Sequence, residues 1–312
     1  MSVAPFLSDL AEGPDGGHAL WLTTGDGVRI RASVWPDGEK GTVVLLPGRT
    51  EYVEKYGRAA ESLRRRGFAT VSVDWRGQGM AARALPDPMV GHIADFAEYQ
   101  ADLDAVLAMV AARGLPEPLF LMAHSMGGCI GLRALTRGLP FRAAAFSAPM
   151  WGISLAAWMR PLAHVVSSLS ALMGQAHRYA PGTGGTTYVL EAAFQGNLLT
   201  TDPEMWDYMR RQAQAHPQIP LGGPSLGWLN AALRECGALA LVPSPLVPVV
   251  TALGTAEKIV DVPPIHMRMA QWSDGRLDLY SGAEHEVMME TPAHRDRFFD
   301  TACDLFDRAR QA

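Results

Sequence analysis

Cysteine is scarce in this 312-residue chain, limited to Cys129, Cys236 and Cys303. An odd number at wide spacing fits neither a disulfide framework nor a zinc site, and reads as reduced thiols in a reducing compartment. Lysine is equally scarce. Only Lys40, Lys55 and Lys258 stand among 27 basic residues, so the positive charge is nearly all arginine, which is read as a bias of genomic base composition. Long apolar runs are missing too. No stretch reaches the roughly 20 apolar residues of a membrane span. The nearest, "ISLAAWM" and "LAHVVSSLSALMG", are interrupted by Arg160-Pro161. The opening "MSVAPFLSDLAEGPDGG" has no cationic start and no long apolar stretch, so it does not read as a secretory signal. Net charge is −5, with no basic stripe to suggest nucleic acid and no run of like charge to suggest a tail.

What is present is an ordinary globular balance, 48% apolar and 19% charged. "HALWLTTGDGVRIRASVWP" alternates about Gly25-Asp26-Gly27 and predicts a hairpin. "GTVVLLPG", "FATVSVDW", "PLFLMAH", "FRAAAFSAP" and "PLVPVVTALG" are short continuous apolar runs, as buried parallel strands require. Helical patterns lie between them, at about 52–66, in "FAEYQADLDAVLAMVAARG" and in "SMGGCIGLRALTRG". "VPPIHMRMAQW" and "TPAHRDRFFDTACDLFDRARQ" read as helices, and "GRLDLY" as a further strand. The alternation predicts an α/β fold, a mostly parallel sheet with helices on both faces. The rhythm breaks from about Met150 to Pro245, where Trp, Met, Gly and Pro are frequent. The expected organisation is a core over 1–149, a helical insertion over 150–245, and the rest of the core over 246–312.

The sequence "LMAHSMGG" places Ser125 between an apolar strand and a helix. A nucleophile elbow needs that strand, a strained tight turn and that helix, with small residues where the two backbones nearly touch. Ala123 and Gly127-Gly128 meet the steric requirement, although glycine is usual at the position of Ala123. The bland alternative is a serine that caps the helix. On such folds the chain order is Ser, acid, His. His285, in the loop after "RLDLY" and before the last helix, is the expected base; His266 and His294 fall within helical patterns. Glu257 is preferred as the acid that orients it, and Asp261, which could cap the next helix, is the alternative. The expected oxyanion donors are the backbone N–H groups of Met126 and Arg49.

These stretches resemble α/β-hydrolases of the lysophospholipase and monoacylglycerol lipase group, above all bacterial inner-membrane-associated lysophospholipases. "LLPGRTEYVEKY", "VDWRGQG", "DPMVGHIADFAEYQADL", "AHSMGG", "SAPMWGI" and "GAEHEVMMETPAHR" carry the likeness, over about residues 43–153 and 247–297. The group often has a serine after "RGQG", where Met80-Ala81 stand here. The resemblance implies an ester-hydrolysing triad of Ser125, Glu257 and His285, and a helical cap over the acyl site. It implies a small lipid ester as substrate, no metal or organic cofactor, no nucleic-acid partner, and a cytoplasmic protein with peripheral contact at the inner face of a membrane. In the insertion, Trp151, Trp158, Met159 and Trp228 are the candidate substrate contacts, about half of such residues being expected to form the cap's own core. Leu162 to Gly174 is the candidate lipid-facing stretch. The Arg49 side chain invites two readings, a substrate phosphate or carboxylate, or a structural pair with Glu51 or Glu54, and the pair is preferred. Cys129 reads as a packed thiol; Asp74, Arg76 and "RGQG" read as organisers of the sheet edge. The rivals to a lipid hydrolase are an esterase, lactonase or C–C hydrolase of small soluble substrates, and a catalytically idle binding protein of the same fold. For a peptidase, nothing in the sequence offers an anchor for a peptide N-terminus.

Overall fold

Strands that are apolar on both faces must be covered on both. The computed structural model, which describes residues 1–154, 167, 168, 170 and 173–311, meets that demand with one sheet between two helical layers. Among the described residues its strands are β1 (Ser2–Ala4), β2 (His18–Thr23), β3 (Arg29–Trp35), β4 (Thr42–Leu46), β5 (Ala69–Asp74), β6 (Leu119–His124), β7 (Phe141–Ser147), β8 (Val249–Gly254) and β9 (Gly275–Tyr280). They lie in the order β1-β2-β3-β5-β4-β6-β7-β8-β9. The first three form an antiparallel edge that meets β5, and from β5 to β9 every pairing is parallel. The hairpin and the buried strands stand where the sequence predicts them. β1 is an addition, built from the N-terminal stretch that carries no strand pattern.

Alternation sends successive side chains to opposite layers. Val44, Leu46, Leu121 and Ala123 pack with α2 (Ala97–Arg113) and α3 (Met126–Thr136). Val43, Leu45, Phe120 and Met122 pack with α1 (Gly57–Arg65) and α7 (Pro292–Gln311). A short 3-10 turn, Val53–Tyr56, precedes α1, so the helical pattern from residue 52 is two elements rather than one. The helix α6 (Val262–Ala270) follows β8.

Between β7 and β8 the chain leaves the sheet. It contributes α4 (Pro203–Ala215), capped by Asp202 with proline at its start, and α5 (Leu226–Ala240), capped by Ser225. These helices are tied into the body. Tyr208 donates to the carbonyls of Ala11 (2.7 Å) and Glu54 (3.0 Å), and Gln212 donates to Leu10 (2.7 Å). Trp228, Ala231 and Ala232 of α5 join the layer that holds α3. Trp158, Met159 and most of Leu162–Gly174 lie outside the described residues.

Candidate active site

β6 turns into α3 at Ser125, whose φ of 50° and ψ of −119° are strained for a residue with a Cβ. Close approach of backbones forces the turn. A Cβ on Gly127 would collide with the Leu46 carbonyl, and one on Gly128 with Pro149. Backbone bonds hold the turn: Ser125 N–H donates to Ser147 (3.1 Å), and the Ser125 carbonyl accepts from Gly128 and Met150, both at 2.8 Å. The Ser125 side chain makes no capping bond to α3, so the bland reading of a helix cap falls. The neighbours of Ser125 from Leu121 to Ile130 are all buried, while Ser125 itself is partly exposed, into a cavity of about 600 Å³.

His285 and Met126 line the same cavity. His285 Nδ1 lies 2.7 Å from Glu257 Oε2, in a pair whose side chains are almost wholly buried. Oε1 of Glu257 accepts from the N–H groups of Ile259 (2.6 Å) and Val260 (3.1 Å). Burial would raise the Glu257 pKa, but His285 and these N–H groups outweigh it and hold the carboxyl below its usual value. Asp261 stands elsewhere, at the N-cap position of α6 and packed beside Gly152.

Met126 is the first residue of α3, so its N–H has no acceptor one turn earlier. The loop after β4 passes beside it: a Cβ on Gly48 would lie 3.1 Å from the Ser125 Cβ. Gln78 of the "RGQG" turn clamps this loop, donating to Gly48 (3.0 Å) and Glu51 (3.3 Å) and accepting from Thr50 N–H (3.2 Å). Thus the turn braces the loop that holds Arg49. The other two residues of that region are structural. Asp74 accepts from Arg31, Val53 and Met80, and Arg76 is held by Asp102 and Asp26.

The Arg49 side chain departs from the preferred reading. Neither Glu51 nor Glu54 pairs with it. Glu51 is taken by Lys55 (2.5 Å), Tyr56 and the Gly48 N–H. Glu54 grips Arg31 with both oxygens, at 2.8 and 2.7 Å. Trp151 also departs: it packs in the core against Phe146 and Trp272, donates to the Gly128 carbonyl at 3.2 Å, and does not face the cavity. Trp228 does face it.

Sequence reasoning passed over a buried polar group beneath Ser125. Lys55 Nζ lies 2.5 Å from both Glu51 and Glu286, and His124 Nε2 lies 3.3 Å from Glu286 and 3.6 Å from Glu51. The donor atoms of Glu51, His124 and Glu286 lie within 4.8 Å of one another, close enough to surround a cation. The Lys55 ammonium is that cation here. The i, i+4 spacing of Glu51 and Lys55 was the one local signal for the group.

Residues 37–292 match the family described as Serine aminopeptidase, S33. The chain is 30% identical to Lysophospholipase L2 of Escherichia coli (strain K12) over 276 residues, 85% of this chain and 80% of that protein. It is 29% identical to Probable lysophospholipase L2 of Haemophilus influenzae over 250 residues, 80% and 78% of the two chains. Among solved structures, it is similar to a soluble variant of monoglyceride lipase from Saccharomyces cerevisiae in complex with a substrate analogue, with a TM-score of 0.71 at 20% identity, covering 92% and 94% of the two chains. It is also similar to a thermostable carboxyl esterase from Bacillus coagulans in complex with glycerol, with a TM-score of 0.72 at 15% identity, covering 95% and 100%. These likenesses agree on an α/β-hydrolase fold.

Proposed function

The chain belongs to the serine aminopeptidase S33 family of α/β-hydrolases, and from that premise we propose that it is a serine hydrolase of lipid carboxylic esters, a lysophospholipase or monoacylglycerol lipase. The observation that carries this reading is the strained Ser125 opening into a cavity shared with His285, whose ring is held by Glu257. Ser125 Oγ attacks the ester carbonyl carbon, and His285 Nε2 takes its proton. Glu257 fixes the tautomer and stabilises the imidazolium. The N–H groups of Met126 and Arg49 receive the oxyanion, each worth about 3 kcal/mol in the transition state. The intermediate collapses to an acyl-enzyme as His285 protonates the leaving alcohol. Water, deprotonated by His285, then releases the fatty acid. The residues that take these parts need no metal or organic cofactor.

The segment between β7 and β8 acts as the cap, and the cavity beneath it takes the acyl chain. Apolar side chains such as Met150, Val189, Leu198, Met209 and Leu226 line it, and Met adapts to a flexible chain. A peptide substrate fits less well. The two carboxylates that face the cavity among the described residues, Glu51 and Glu286, are both engaged by Lys55, so neither stands free to anchor a peptide ammonium. Among the described residues no helix is long and apolar enough to cross a membrane; we propose that the protein reaches its lipid by peripheral contact at the inner face of a membrane. Cosedimentation with vesicles at low salt tests that contact, and failure to sediment rejects it.

The direct test is fatty acid release from lysophosphatidylcholine and monoacylglycerol, with Ser125→Ala as control and fluorophosphonate labelling of Ser125. Release that Ser125→Ala abolishes supports the reading. A Ser125 that does not label rejects it. Labelling without release from either lipid moves the enzyme to small soluble esters.

A further inference from the structure

Arg49 faces the cavity with its charge unanswered. Its Nη1 donates to the Gly222 carbonyl at 2.9 Å, and its Cζ stands 5.7 Å from the centre of the Trp228 ring. No carboxylate pairs with it among the described residues, and the residues outside them (155–166, 169, 171, 172 and 312) include no Asp or Glu. Burial lowers its pKa only to about 10, so it remains a cation at neutral pH. The other basic side chains of the cavity are answered: Lys55 by Glu51 and Glu286, and His124 by Glu286. Among the described residues that line the cavity, Arg49 is the one basic side chain without a carboxylate partner.

Two other arginines show what a merely structural guanidinium does here. Arg83 donates to the carbonyls of Gly77, Gly79 and Gln218, and Arg268 to Leu239, Val242 and the Ser244 hydroxyl. Each is spent on three acceptors, and neither faces the cavity. Arg49 lines the cavity and has one acceptor among the described residues, the Gly222 carbonyl on Nη1, so the rest of its donor fork has no protein acceptor there. A desolvated cation without an anion is costly, and guanidinium geometry matches phosphate oxygens two at a time.

The reach is right for one substrate class. The Arg49 main chain runs beside Ser125, and its side chain extends from there toward Gly91 and Gly222; a Cβ on Gly91 would lie 3.5 Å from Nη1. Five bonds separate Cα from Cζ, a span of about 6 Å at extended-chain geometry. In a 1-acyl glycerophospholipid six bonds separate the ester carbonyl carbon from phosphorus, about 7 Å on the same measure. An ester carbonyl held at Ser125 therefore carries its phosphate on a reach that matches that of the guanidinium.

We propose that the Arg49 side chain binds the head-group phosphodiester of a lysophospholipid and selects it over the neutral monoacylglycerol. This rests on Ser125 as the nucleophile.

The experiment compares kcat/KM for 1-acyl lysophosphatidylglycerol, lysophosphatidylcholine, lysophosphatidic acid and monoacylglycerol of one chain length, in nonionic micelles. Wild type, Arg49→Met and Arg49→Lys are measured. Wild type should prefer both phosphodiesters to the neutral lipid. Arg49→Met should cut that preference by about tenfold or more, chiefly through KM, as loss of a charge-assisted bond implies. Arg49→Lys should restore part of it. Lysophosphatidic acid preferred over both diesters would move the assignment to a phosphomonoester and overturn it. A wild type without preference, or a ratio in Arg49→Met within about twofold of wild type, would also overturn it. Fluorophosphonate labelling separates the two failures: Ser125 labelled with an unmoved ratio sinks only the Arg49 assignment, and no labelling of wild type sinks the nucleophile and this inference together. Should Arg49→Met not fold, inhibition of wild type serves. Glycerol 3-phosphate should compete against a short neutral ester where glycerol does not, and equal effects of the two would overturn the assignment.

Discussion

Oε2 of Glu286 lies 3.3 Å from Nε2 of His124, so the residue after His285 meets the residue before Ser125. Both are buried, and Lys55 closes the group against Glu286 and Glu51. Burial opposes charge on each, yet Glu286 and Glu51 hold His124 above its usual pKa, against Lys55, while His124, Lys55 and His285 hold Glu286 well below its own. A raised histidine stabilises the fold fully below its unfolded value near 6.5 and loses that contribution as pH rises through the folded pKa. A depressed glutamate stabilises above about 4.3 and loses it as pH falls.

Glu286→Gln should therefore do two things. Removing one partner of a buried charged group costs about 3–5 kcal/mol. The alkaline fall in stability should also move to lower pH, because His124 loses its nearest counter-charge. Urea denaturation across the neutral range reads both. A variant as stable as wild type, with the same pH profile, would mean that the group is not electrostatically coupled.

The choice between two acids is the next expectation. Glu257 touches His285, while Asp261 sits at the start of α6. Glu257→Gln should lower kcat by about four orders of magnitude, as loss of an orienting carboxylate does. Asp261→Asn should stay within about tenfold of wild type, since Asp261 sits at the start of α6 rather than on His285 and asparagine conserves its size. Equal losses in the two variants would undo the Glu257 assignment.

The strands, most helices and the elbow geometry were legible because each has a local cause. Apolar runs fall between turn residues, and Ala123, Gly127 and Gly128 mark the place where backbones must nearly touch. Arg49 misled because Glu51 and Glu54 are its neighbours in sequence, yet Glu51 is taken by Lys55, Tyr56 and the Gly48 N–H. Glu54 grips Arg31, 23 residues away. The Glu286 and Lys55 contact spans 231 residues, beyond any periodicity. Trp151 looked like a cap residue because it begins the insertion, yet its ring packs on Phe146 and Trp272 and its indole donates to the Gly128 carbonyl, contacts across the chain that no local pattern shows.

The thiols give a chemical check on burial. Cys129 lies in α3 against Cys236 of α5, and that contact, with burial, lifts its pKa well above the usual range. Burial pushes Cys303 to about 12. Thiolate is the reactive form, so neither thiol should titrate with a disulfide reagent at mildly alkaline pH until the protein is unfolded. Rapid reaction of Cys129 in the native protein would show that α5 opens from α3.

Two glycine substitutions should move stability in opposite directions. Gly127→Ala places a Cβ against the Leu46 carbonyl, a backbone atom that can yield only if α3 backs away from β4. Overpacking of that kind costs about 1–3 kcal/mol or more. The shift would also carry the Met126 N–H from its place, so the variant should lose activity at temperatures where it remains folded. Gly237 lies exposed within α5, and a Cβ there meets nothing within 4 Å. Gly237→Ala should therefore stabilise by about 0.5–1 kcal/mol, through the lower helix propensity of glycine and its freer unfolded chain. Thermal melts of both variants, paired with ester hydrolysis, measure the contrast. A Gly127→Ala protein with wild-type melting and activity would refute the close packing of β4 on α3 that forces Ser125 into its strained turn.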